Sequence, residues 1–253
     1  MNDLEKAASV LRGLGLTATS LIVDTLCRNV GQHRAIAWSE LESFLKTFEA
    51  EAQTKDQTCY QTFQMMEGIL MNALVSANAK SRKEFKERAL AAPDIDHHFE
   101  LLDAGLSSVH AEIRAATRPR QLSLLLMFGQ LVRYQTMEDF TKSWIGHWGK
   151  GLDEKRKSAA FAVLLGLKLV RGADGVLIPD TQYYRNAIAH GGFEFVDDHH
   201  LNFWNRDGRG KRHDLPPLTD GDLLNLYTMA EKRLRTMQAF SRVLRAWGRH
   251  GAV

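Results

Sequence analysis

The 253-residue chain is predicted to be all-α, a multi-helix bundle with one small β-hairpin inserted near its C-terminal end. Apolar residues recur with helical spacing through most of the first 190 residues, and proline, with five occurrences, is scarce. One late stretch instead alternates apolar and polar residues, which is typical of a hairpin. The composition, 44% hydrophobic and 25% charged, is that of an ordinary globular protein.

The first part of the chain is predicted to form amphipathic helices. The segment IAWSELESFLKTFEAEAQ has apolar residues at the helical spacing i, i+3, i+4 and i+7, namely Leu41, Phe44, Leu45 and Phe48. The segments ATSLIVDTLCRNV and CYQTFQMMEGILMNALVSA have apolar faces of the same kind. Because such faces must be buried, these helices are expected to pack together in one core.

A break in the helical pattern follows. Pro93 ends one helix and Asp94 is placed to cap the next. Pro119 then starts another helical segment, and LDEKRKSAAFAVLLGLKLVRG is expected to form a further helix. We therefore predict an N-terminal helical region over residues 1–92 and a second domain over 93–253, with one continuous helical domain as the alternative.

Charge, cysteine content and apolar stretches limit the cellular settings and partners that the chain suits. The net charge of +3 tolerates a nucleic-acid partner without requiring one. Cys27 and Cys59 form no disulfide framework, and the N-terminus has no uninterrupted apolar run typical of a signal peptide. The most apolar stretch, residues 158–170, is too short to cross a bilayer core of about 30 Å. We expect a cytoplasmic protein that has no membrane partner.

The stretch TQYYRNAIAHGG, residues 181–192, is the strongest candidate for a site. Pro179 and Asp180 are predicted to start a helix that Gly191 ends, with His190 as its last residue. Arg185 and His190 are five positions apart, which is roughly 140° around a helix, so they do not share a face. A site using both would need a distorted helix end or a second copy of the chain.

The hairpin and the final helix follow this stretch. Alternation of apolar and polar residues predicts two strands, with apolar positions at Phe193, Phe195, Leu201 and Phe203. The segment RDGRGKR is expected to form a basic, flexible turn. A long C-terminal helix then begins at a cap formed by Thr219 or Asp220.

The segment RNAIAHG resembles the signature of the HEPN superfamily, in which an Arg is followed after four to six residues by a His. The polar residue that usually follows the Arg is Asn186 here. Helices before the motif, the hairpin insert and the long closing helix are also similar to the family pattern. The resemblance covers residues 180–245 and is weaker over 95–180.

This resemblance implies a metal-independent endoribonuclease that needs no cofactor and leaves a 2′,3′-cyclic phosphate and a 5′-hydroxyl. It implies a homodimer whose composite site uses Arg185, Asn186 and His190 of both chains. His190 would act as general acid or base and Arg185 would stabilise charge on the phosphate, while Asn186 would orient either the scissile phosphate or the Arg185 side chain. HEPN ribonucleases serve in toxin–antitoxin and phage-defence systems, so an antitoxin or another regulatory protein is an expected partner.

Other residues are predicted to contact RNA or are given a structural interpretation. The predicted RNA contacts are a base-stacking ring and a basic cluster, Tyr184, Arg206, Arg209, Lys211 and Arg212. Stacking on a base and packing in the core both remain open for Tyr183 and Tyr184. The clusters DIDHHFE and DDHH are interpreted as a capped helix start and a hairpin turn, so no metal site is predicted.

Two alternatives to the nuclease remain. The first is a catalytically inactive HEPN module that binds RNA, a nucleotide or a protein partner. The second is a structural interaction protein, which predicts that Arg185 forms an internal ion pair and that His190 is buried. The RNA substrate and the role of the first 90 residues are left open by the sequence.

Overall fold

The chain is mostly helical, as predicted, in a computed structural model that describes residues 2–74, 79–165, 170–171, 177–178 and 181–252. The helices, in chain order, are α1 Asp3–Gly13, α2 Thr17–Gly31, α3 Trp38–Lys55, α4 Gln57–Ala73, α5 Ala79–Leu90, α6 Ile95–Ala115, α7 Pro119–Trp148, α8 Glu154–Leu164, α9 Thr181–Ala189 and α10 Asp220–His250. No helix within these described ranges is both long and apolar enough to cross a membrane.

The strands form two small antiparallel sheets. They are β1 Val170–Arg171, β2 Leu177–Ile178, β3 Phe193–Phe195, β4 His200–Arg206 and β5 Arg212–Thr219. The predicted hairpin is confirmed as β3 and β4, in which Phe193 pairs with Phe203. Strand β5 then extends it to a three-stranded sheet of order β3-β4-β5. The segment before the last helix contains Pro216 and Pro217, and an edge strand tolerates proline because its outer N–H groups need no partner.

Several helix ends follow the predicted capping chemistry. The Asp94 carboxylate accepts a hydrogen bond from the Asp96 N–H at the start of α6. Thr219 Oγ1 accepts from the Asp222 N–H at 3.1 Å, and Asp222 in turn accepts from the Thr219 N–H at 2.9 Å, which is a reciprocal capping pair for α10. Helix α8 ends at Leu164, earlier than predicted, and a strand follows at Val170. The predicted start of the motif helix at Pro179 and Asp180 lies outside the described residues.

Packing divides the chain into two compact units, each made of separate chain segments. The first unit is Met1–Asp96, Phe140–Leu164 and Lys232–Val253, and the second is His97–Asp139 and Leu165–Glu231. The first division lies close to the predicted boundary at residue 92. The region 93–253 is nevertheless split between the units, because the division falls inside the long helices α7 and α10. A helix stop can be recognised locally, whereas the packing partners of a helix cannot.

The second unit has the core that positions the candidate site. Residues of α7, α9, the three-stranded sheet and α10 form one apolar cluster. Helix α9 contributes Tyr184, Ala187 and Ile188, which are spaced i, i+3 and i+4 and therefore lie on one face. Phe203 on β4 is fully buried, and its ring lies edge-on to Tyr184 with centroids 5.5 Å apart. This packing holds α9 against β4.

Candidate functional site

The end of α9 is fixed by the double glycine. The Gly192 N–H donates to the Ala187 carbonyl at 2.7 Å and the Gly191 N–H to the Ile188 carbonyl at 3.3 Å, which is a Schellman cap. Gly191 has φ of +66°, and a Cβ on Gly192 would lie 2.2 Å from the Trp204 carbonyl oxygen. Both positions therefore require glycine. His190 is the capping residue directly after the helix, one position beyond the observed helix end at Ala189.

Arg185 and His190 lie on different sides of this helix. A pocket of about 580 Å³ borders α9, and Asn186 and His190 line it whereas Arg185 does not. Arg185 instead donates from Nη1 to Glu138 Oε2 on α7 at 2.8 Å, and its side chain is 23% exposed. The arrangement agrees with the separation of roughly 140° expected from their spacing on a helix.

Asn186 is oriented by its neighbour. Arg185 Nη2 donates to Asn186 Oδ1 at 3.2 Å. A guanidinium has donors only, so the atom facing it must be the amide oxygen. The Asn186 amide group therefore retains its NH₂ as the hydrogen-bonding group for a ligand in the pocket.

His190 is exposed, and its own backbone N–H donates to the Asn186 carbonyl at 3.0 Å. Within the described part of the chain, its imidazole ring forms no hydrogen bond or ion pair. The ring is therefore available to take or give a proton at the pocket surface. The structural alternative predicted an internal ion pair for Arg185 and a buried His190; the ion pair is present, but the histidine is exposed.

The pocket is completed by the three-stranded sheet. Trp204, Asn205 and Arg206 of β4 and His213 of β5 line it opposite the residues of α9. His213 Nε2 lies 3.2 Å from Asp207 Oδ2. The hydrogen bond with His213 is the main cause that lowers the pKa of Asp207, and the backbone N–H groups of Arg209 and Lys211 add to it. The Asp207 carboxylate thus holds the turn and the histidine in place.

The two tyrosines of the motif have opposite environments, and Tyr184 is a correction to the predicted RNA contacts. Tyr184 is 0% exposed and its hydroxyl donates to the Pro216 carbonyl at 2.9 Å. Burial, followed by the nearby charge of Asp222, raises the pKa of Tyr184 to about 12. A ring enclosed in the core cannot stack on a base. Tyr183 is 49% exposed and lines the pocket, so it is the available ring.

The predicted basic cluster is divided by its contacts. The Arg212 guanidinium lies over the Trp204 ring, 4.0 Å from its centroid, and forms ion pairs with Asp214 and Glu194. Arg206 lines the pocket and donates to the Gly210 carbonyl. The side chains of Arg209 and Lys211 are exposed on the turn and have no ion pair within the described residues. Arg206, Arg209 and Lys211 are therefore the cations best placed for a phosphate.

The basic residues of the last helix have a different role. In the first unit, Arg242 pairs with Asp96 at 2.7 Å and Arg245 pairs with Asp94. Lys232 pairs with Asp56 in the same unit. Because their charges are matched by internal carboxylates, we interpret these residues of α10 as structural.

Sequence reasoning missed several residues of this site, among them Glu138, Trp204, Asn205 and His213. The last three reach the pocket because β4 pairs with β5, in a register that places Asn205 opposite His213. The absence of β5 from the predicted fold concealed this pairing. Glu138 lies 47 positions before Arg185 on a separate helix, and a single sequence carries no signal for a contact between residues so far apart.

Two further findings concern ligands and relatives. Among the residues that the structure describes, no group of three or more His, Cys, Asp or Glu side chains is placed to hold a metal ion. This finding does not test metal independence, which stays a prediction. Comparison of the chain with protein-family models, with curated proteins and with solved structures finds no match. The HEPN resemblance consequently rests on the motif and its sequence context.

Proposed function

We propose that this protein is a metal-independent endoribonuclease of HEPN type that works as a homodimer in the cytoplasm. The observation that carries the proposal is the exposed ring of His190, placed beside the Asn186 amide at a pocket bordered by aromatic and cationic side chains. An imidazole side chain can take and give a proton near neutral pH.

The reaction follows from the chemistry of RNA. His190 of one protomer removes the proton from a 2′-hydroxyl, and the resulting oxygen attacks the adjacent phosphorus. The bond from phosphorus to the 5′-oxygen breaks, and the leaving oxygen takes a proton back from the protonated His190. The products are a 2′,3′-cyclic phosphate and a 5′-hydroxyl. DNA lacks the 2′-hydroxyl nucleophile, so it is not a substrate.

The positions of Arg185 and His190 support the use of two copies. Arg185 does not line the pocket that His190 lines. A second copy of α9 related by a two-fold axis would present the missing group across a shared cleft. In that cleft the remaining guanidinium donors of Arg185 would stabilise charge on the phosphate, and the Asn186 NH₂ would orient it.

The test is cleavage of single-stranded RNA by the purified protein in EDTA, with the oligomeric state measured by light scattering. We expect a dimer that cleaves, and a His190→Ala variant that loses at least about 100-fold in rate. His97→Ala is the matched control, because His97 is also exposed and lies outside the pocket. Equal cleavage by wild type and His190→Ala would refute the assignment.

A second candidate is an RNA-binding HEPN module without nuclease activity. The ion pair between Arg185 and Glu138 favours it, since the carboxylate offsets the charge that a phosphate would use. This candidate predicts RNA binding that survives His190→Ala and no cleavage by the wild type. In either case a toxin–antitoxin or phage-defence setting, with a regulatory protein partner, is part of the proposal.

A further inference from the structure

We infer that the pocket between α9 and the β4–β5 turn binds one unpaired ribonucleotide, with its base against Tyr183 and its phosphate toward Asn186 and Arg206. Its volume of about 580 Å³ lies within the range of small-molecule sites, about 300–1,000 Å³. The inference deepens the proposed function and rests on it for the choice of RNA.

Aromatic and cationic groups occur together in this pocket. The Tyr183 side chain is half exposed, so its aromatic ring can still be buried against a bound ligand, which is favourable. Trp204 also lines the pocket, but the Arg212 guanidinium covers its ring, so Tyr183 is the ring offered to a base. A nucleobase stacks on such a ring whatever its identity, because every base has a π-face. Arg206 retains donors beyond the one used on Gly210 and forms no ion pair within the described residues.

The hydrogen-bonding groups are fixed with opposite polarity at two places in the pocket. Asn205 Nδ2 donates to the Tyr183 carbonyl at 2.8 Å, which uses one of its two N–H groups, orients the amide and leaves its oxygen as an acceptor. Asn186 has the reverse arrangement, because its oxygen accepts from Arg185 and its NH₂ is left as a donor. A donor suits a phosphate oxygen, and an acceptor suits an N–H on the edge of a base.

This polarity defines the class of ligand. Each of the four RNA bases has an N–H on its Watson–Crick edge, so the Asn205 oxygen does not select one base. A base in a duplex already uses that N–H and is stacked between its neighbours. The pocket therefore accepts a nucleotide from a single strand, a loop or an end, and excludes a paired one.

The test measures binding by calorimetry with mononucleotides that cannot be cleaved, 3′-AMP, 3′-CMP, 3′-GMP and 3′-UMP, and with ribose 5-phosphate. We expect the nucleotides to bind about tenfold or more tightly than the sugar phosphate, because only they stack. Tyr183→Ala should reduce the affinity for the nucleotides to the affinity for the sugar phosphate. Asn205→Ala should weaken binding of the nucleotides but not of the sugar phosphate. The control is Asn202→Ala, which should change neither affinity, because Asn202 is a half-buried residue of the same strand outside the pocket.

Equal affinity for nucleotides and ribose 5-phosphate would overturn the inference, as would base-dependent binding that survives Tyr183→Ala in a variant shown to be folded by circular dichroism. The outcome is separable from that of the nuclease proposal. Base-dependent binding by a protein that never cleaves RNA would support the pocket and reject the nuclease. RNA cleavage without any mononucleotide binding would do the reverse.

Discussion

Arg185 donates a hydrogen bond to the amide oxygen of Asn186, its neighbour in the chain, while its other terminal nitrogen is paired with Glu138. The contact links two sides of α9, since Asn186 lines the pocket and Arg185 does not. It also fixes which end of the amide meets a ligand. The Arg-Asn pair of the motif is thus one unit, in which the arginine orients the asparagine.

The orientation of Asn186 leads to a first prediction. Asn186→Asp keeps an oxygen acceptor for Arg185 and removes the NH₂ that faces the pocket. We expect the melting temperature to be maintained and the cleavage rate to fall about 100-fold, because one donor to the phosphate is lost and a negative charge is added. Paired measurements of melting and RNA cleavage check this, with Asn202→Ala as the control. Unchanged cleavage would show that the Asn186 amide does not contact the phosphate.

The ion pair between Arg185 and Glu138 leads to a second prediction. Glu138→Gln keeps the shape of the side chain and removes the charge that offsets Arg185 at 2.8 Å. Because both side chains are partly buried, we expect the free energy of unfolding to fall by about 1 kcal/mol. RNA binding should become tighter, since the guanidinium is then uncompensated. Weaker binding in a folded variant would mean that Glu138 positions Arg185 for RNA.

Much of the fold follows from local sequence patterns. Apolar spacing predicts α3, and Leu41, Phe44 and Phe48 are buried as the pattern requires. Alternation likewise predicts β3 and β4. Strand β5 is missed because Pro216 and Pro217 indicate a break, although an edge strand accommodates them. The make-up of the two units from separate chain segments has no local signature, because α7 and α10 are each continuous helices and no residue within them marks the boundary.

The candidate site is predictable only in part, for a similar reason. The separation of Arg185 and His190 follows from helix geometry alone. The pocket does not, because it depends on which strand faces α9. The sequence also leaves Tyr183 and Tyr184 equivalent, and only packing against Phe203 assigns Tyr184 to the core. The hydrogen bond from Asn205 to the Tyr183 carbonyl, 22 positions away, has no signature in the sequence.

The basic turn leads to a third prediction. Arg209 and Lys211 are exposed and, within the described chain, form no ion pair. Arg209→Ala with Lys211→Ala should weaken RNA binding similarly for all sequences, because phosphate contacts carry no base information. The slope of log K against log salt should become shallower by about 1 to 2. The exposed Lys150 and Lys155 serve as the control pair, and an unchanged slope would place the turn away from RNA.

Glu51 leads to a fourth prediction, which concerns acid stability. Burial tends to raise the pKa of Glu51, but hydrogen bonds from the Thr19 and Ala18 N–H groups, at 2.7 and 2.9 Å, and from Lys55 lower it from 4.5 to about 2. The folded state therefore favours the carboxylate. Its contribution, about 3 kcal/mol, is fully present above pH 4.5 and is lost as the pH falls toward 2.

Urea unfolding at pH 7 and pH 3 measures this contribution. We expect Glu51→Gln to be less stable than wild type at pH 7 by up to about 3 kcal/mol and to lose less stability on acidification. Glu87→Gln is the control, because Glu87 is exposed. An equal loss of stability on acidification in wild type and Glu51→Gln would mean that other carboxylates dominate the acid transition.

The composite site leads to a fifth prediction, which separates a shared cleft from a self-contained one. Arg185→Ala and His190→Ala should each abolish cleavage as homodimers. When the two are mixed and allowed to exchange subunits, about half of the dimers are heterodimers with one intact Arg185 and one intact His190. If the cleft is shared, these should regain cleavage well above that of either variant. The double variant Arg185→Ala/His190→Ala, mixed with itself, is the control. Should mass spectrometry confirm heterodimers that remain inactive, the two residues do not cooperate across an interface, because the only new species in the mixture would then lack the predicted chemistry.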